Sequence, residues 1–65
     1  MNDFRLLLEE LLVAEHGKTA EEAARLVKKH SRIVVQGIMA GMSSTHLRAA
    51  AIAIELAESE EGGQQ

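Results

Sequence analysis

Apolar positions recur at helical spacing along most of the chain. Phe4, Leu7, Leu8, Leu11 and Ala14 fall three and four apart, which predicts an amphipathic helix over residues 3–16. Asn2 or Asp3 stands where an N-cap is wanted, and Gly17 stands where the chain leaves the last turn. Thr19-Ala20-Glu21-Glu22 places a Glu three residues after a Thr. In that capping-box pattern the two side chains satisfy each other's backbone N–H groups. It opens a second helix over 20–30, with Ala20, Ala23, Ala24, Leu26 and Val27 turned inward. Lys28, Lys29 and His30 occupy its last turn, where the helix dipole favours positive charge.

Ser31 is the expected cap of a third helix over 32–40. Ile33-Val34-Val35 is β-branched and suits a strand, but a single strand would have no partner in this chain, so helix is the better reading. Gly41 ends it. Ser43, Ser44 or Thr45 caps a fourth helix over 45–58, with Leu47, Ala50, Ala51 and Ile54 on one face and Ile52 and Leu56 on another. Only Arg48, Glu55 and Glu58 form a polar stripe. A helix apolar around most of its circumference suits the centre of a bundle or a subunit interface. Residues 59–65 are polar, with adjacent Gly62 and Gly63, and Glu58, Glu60 and Glu61 oppose the helix dipole. That end is expected to be a disordered acidic tail. The expected fold is all-α, a compact bundle of about four short helices forming one domain over 1–58.

Composition narrows the options further. The 65 residues are 46% hydrophobic and 26% charged, a globular balance, with no Cys, Pro, Trp or Tyr and a single Phe. No disulfide or thiolate-ligated metal can therefore support a chain this small, and large rings cannot supply the core. A domain of this size buries only about 60% of the surface its unfolded chain exposes. Close helix packing or a second subunit must make up the difference. Leu6 and Val13 lie seven apart, off the main stripe of the first helix. With Ile52 and Leu56 they form the candidate protein interface. No run is long and apolar enough to span a bilayer and the first residues carry no leader pattern, so the default compartment is the cytoplasm.

The net charge of −3 is unevenly placed. Residues 1–17 carry −3, residues 18–48 carry +4 and residues 49–65 carry −4. One reading is electrostatic self-complementarity, within a chain or between two copies. The other is an anion or nucleic-acid patch formed by Lys28, Lys29, Arg32 and Arg48. A helix-turn-helix arrangement could present it, although a third helix offering only Arg32 and Gln36 is poorly supplied for reading bases.

Reactive chemistry finds little support. Ser43, Ser44 and His46 invite a Ser–His pair, yet no carboxylate lies nearby in sequence to orient the base, and capping accounts for the hydroxyls. His16, His30 and His46 are too far apart to share a helix face as metal ligands. Neither glycine-rich phosphate-binding fingerprint occurs. Met42-Ser43-Ser44-Thr45 lacks the Asp-Ser-Leu motif of acyl carrier proteins. The expectation is therefore a non-enzymatic, self-associating protein–protein interaction module, with no cofactor and no small-molecule substrate. The alternative is a small helix-turn-helix-like regulator that binds nucleic acid.

Overall fold

The computed structural model describes residues 3–63. Four α-helices follow one another: α1 Phe4–His16, α2 Ala20–Lys29, α3 Ser31–Ala40 and α4 Ser44–Gly63. The all-α bundle matches the sequence expectation. α1 begins where the Asp3 side chain accepts a hydrogen bond from the Arg5 N–H at 3.0 Å, and it ends at Gly17, whose φ of 69° is left-handed. The Thr19 hydroxyl caps α2 by accepting from the Glu22 N–H at 3.1 Å. The reciprocal arm of the expected capping box is not made, because the Glu22 carboxylate turns to Arg25 at 3.5 Å instead.

Two boundaries differ from the sequence reading. Ser31 is the first residue of α3 rather than its cap, and His30 alone separates α2 from α3. The His30 N–H still donates to the Leu26 carbonyl, while its own carbonyl accepts from Ile33 and Val34. One residue thus closes one helix and opens the next. α4 runs five residues past Glu58, to Gly63. Of the acids that oppose its dipole, Glu58 is held by Lys29 and His30 and Glu61 by Lys29, which offsets part of the cost expected for its last turns. Gln64 and Gln65 of the expected tail lie outside the described residues.

The core is assembled from Phe4, Leu8 and Leu12 of α1, Ala23, Leu26 and Val27 of α2, Val34 of α3, and Ala50, Ala51 and Ile54 of α4. In α1 the buried line runs i, i+4, i+8. Leu7 is 40% exposed, Ala14 is exposed and Leu11 is half-buried. Five leucines among residues 6–12 leave the phase of the stripe ambiguous in sequence, and contact with α2 and α4 selects the Leu8–Leu12 line. In α2, Ala20 and Ala24 also face out. The inner face of α4 is the one expected, but Ile52 and Leu56 are 54% and 60% exposed, so the helix is not enclosed on all sides.

Phe4 decides how close α3 can come. The ring is 2% exposed, and it lies against Gly37. A methyl group on Gly37 would sit 2.7 Å and 2.8 Å from two ring carbons. The ring is rigid and enclosed, so it cannot step aside. Gly37→Ala should therefore lower the melting temperature. Overpacking costs about 1–3 kcal/mol, and this outweighs the gain of about 1 kcal/mol from replacing a helical Gly. Thermal denaturation followed by circular dichroism checks it; a melting temperature equal to or above that of the native chain would contradict the packing described.

Candidate functional site

The charged side chains sort into two groups. The first ties α4 to the rest of the bundle. Glu55 takes Lys18 at 3.1 Å and His16 at 3.6 Å. Glu58 takes Lys29 at 2.9 Å and His30 Nε2 at 2.8 Å, and Glu61 takes Lys29 at 2.6 Å. The spacing of three along α4 puts these acids in one row, opposite the end of α1 and the last turn of α2. The hydrogen bonds from His30 and Lys29 hold the Glu58 carboxyl down, from 4.5 to about 2. Glu55 raises the Lys18 ammonium above its ordinary value, and Glu61 with Glu58 does the same for Lys29.

His30, Glu58 and Glu61 bring one ring nitrogen and two carboxylates within 4.8 Å of one another, a donor set suited to a divalent metal. The Lys29 ammonium already lies between the two carboxylates and pairs with both, so ion pairing accounts for the cluster. Sequence reading could not have found it, because Lys29 and His30 lie 28 to 32 residues from the two acids they pair with and meet them only through tertiary packing against α4.

The second group has no such partners. Among the described residues, no ion pair joins Glu9, Glu10 or Glu15 of α1, nor Lys28, Arg32 or Arg48. Of the expected anion patch, Lys29 is therefore occupied, while Lys28, Arg32 and Arg48 are exposed. Ser43 is the cap of α4: its Oγ accepts from the His46 N–H at 3.2 Å and lies 2.7 Å from His46 Nδ1. The Ser–His proximity is thus a capping arrangement with His in the place of Glu.

The apolar candidates fall on separate surfaces. Leu6 and Val13, 55% and 42% exposed, line a shallow cleft of about 350 Å³ with Glu9, Glu10 and Ala20. Ile52 belongs to a different cleft of about 260 Å³, beside Leu11, Glu15, His16 and Arg48. Leu56 stands free one turn beyond Ile52. The sequence reading missed a third surface on α3, where Val35 and Met39 are exposed and Met42 follows in the turn. Their spacing of four and three was the available signal. Among the described residues, Met39 is the most exposed large apolar side chain, at 81%. No helix among the described residues is long and apolar enough to cross a membrane. Comparison with protein-family models, curated proteins and solved structures yields no match.

The ion-pair row predicts a pH window. Ionised Glu58 contributes stability above about pH 4.5, and that contribution is lost as pH falls towards 2. The raised lysines act in the opposite sense. Their contribution is complete below their ordinary value of 10.5 and fades as pH rises beyond it. Urea denaturation across pH should give a plateau between these limits. Glu58→Gln should flatten the acid side, and an acid slope identical to that of the native chain would contradict the assignment.

Proposed function

We propose that this chain is a non-enzymatic protein–protein interaction module that associates with itself. The observation carrying this reading is the amount of large apolar surface left outward: Leu6, Leu7 and Val13 on α1, Val35 and Met39 on α3, Met42 after it, and Ile52 and Leu56 on α4. Single exposed apolar residues are ordinary, whereas clustered ones mark contact surfaces. The whole chain exposes 4588 Å², so a standard interface of about 800 Å² per partner would cover about a sixth of it. That is a large gain for a domain whose own core contains one aromatic ring.

Sedimentation at micromolar concentrations is expected to give a species heavier than the 7.1 kDa chain, with concentration dependence. Leu6→Ser together with Val13→Ser should weaken association without lowering helicity, because neither side chain is in the core. A monodisperse 7.1 kDa species over the whole range would overturn the reading.

A second reading has one feature in its favour. Lys28 and Arg32 stand exposed and unpaired on either side of the one-residue link between α2 and α3, a placement compatible with a nucleic-acid-binding helix pair. It predicts salt-sensitive binding to mixed-sequence duplex DNA. The absence of a mobility shift at low salt would remove it.

A further inference from the structure

The charges that α4 leaves unsatisfied separate by surface. Two of the acids on α1 flank an apolar cleft: Glu9 and Glu10 lie between Leu6 and Val13 along the helix, and all four line it. α3 is the reverse. Its sequence contains no acid, its one charge is Arg32, and its outward residues include Val35, Gln36 and the 81%-exposed Met39. Within the chain both surfaces turn away from the core, which takes Phe4 and Leu8 of α1 and Val34 of α3 instead.

We infer that the acidic-rimmed cleft on α1 of one copy receives the α3 face of a second copy, with Met39 and Val35 against Leu6 and Val13 and Arg32 against Glu9 and Glu10. The inference rests on the self-association proposed above and specifies the pairing. Two properties support it. The charges of the two faces are opposite, and no ion pair among the described residues uses either set. Methionine is also unbranched and adapts to a shallow apolar cleft without a preformed fit. Charge complementarity of this kind selects the partner and fixes register. It makes a second copy a better occupant than an acidic polymer, which would meet repulsion from the α1 rim.

Charge exchange tests the pairing. Two variants are made, Glu9→Lys with Glu10→Lys, and Arg32→Glu, and circular dichroism confirms that each is folded. Each alone should self-associate about tenfold more weakly than the native chain, because like charges then face each other at the contact. Mixed in equal amounts, they should associate with each other at near-native affinity. In the mixed pair every contact again joins opposite charges, whether the copies form a two-fold dimer or a head-to-tail array. Met39→Gln should weaken association in the native background. Native association that is insensitive to either reversal, or a mixture no tighter than its components, would overturn the pairing while leaving self-association standing. A native chain that stays monomeric would overturn both.

Discussion

The contact between the Phe4 ring and the backbone of Gly37 sets the geometry on which the other helices depend. Phe4 is the first residue of α1, and its ring is the only aromatic surface in the chain. In a core otherwise made of Leu, Ile, Val and Ala, it is the one group large enough to reach across from the start of α1 to the middle of α3. The missing side chain at Gly37 admits it. With α3 held there, α4 can lie along both α1 and α3, and Ile54, Ala50 and Ala51 close the remaining space. Small residues on α4 allow close approach, which compensates in packing density for the lack of larger rings.

Electrostatics then fix the far half of α4. The small alanine face there provides little apolar grip beyond Ile54, and the row Glu55, Glu58, Glu61 supplies directional contacts to Lys18, Lys29, His16 and His30. Exposed ion pairs are individually weak. Here they share partners within two groups, one around Glu55 and one around Lys29 and Glu58, and they reduce the repulsion along the last turns. The acid–base–acid order of the sequence is thus partly settled inside the chain, between its middle and its end. The acidic first helix is left out of that settlement, as are Lys28, Arg32 and Arg48.

Helix existence was legible because periodicity and capping are local. Asp3, Thr19 and Gly17 act where the sequence places them, and the inner face of α4 reads directly from Leu47, Ala50, Ala51 and Ile54. The phase of α1 was not legible, since leucines at 6, 7, 8, 11 and 12 satisfy several stripes and only neighbouring helices choose among them. The contacts near the end of α4 were not legible for a related reason: local dipole logic counts Glu58 and Glu61 as unfavourable, and only tertiary packing brings Lys29 and His30 to that end. The exposed line of Val35, Met39 and Met42 has helical spacing, but in a segment so rich in apolar residues nothing local says which face turns outward.

His30 has a consequence of its own. It is the whole of the joint between α2 and α3, and its ring, only 10% exposed, is fastened to Glu58 of α4. Two helices joined by a single residue can change their mutual angle only through that residue's own backbone torsions, and turning those torsions would swing the ring. The elbow is thus braced from outside by a strut, and the direction in which α3 presents Met39 is set by a contact 28 residues further along the chain.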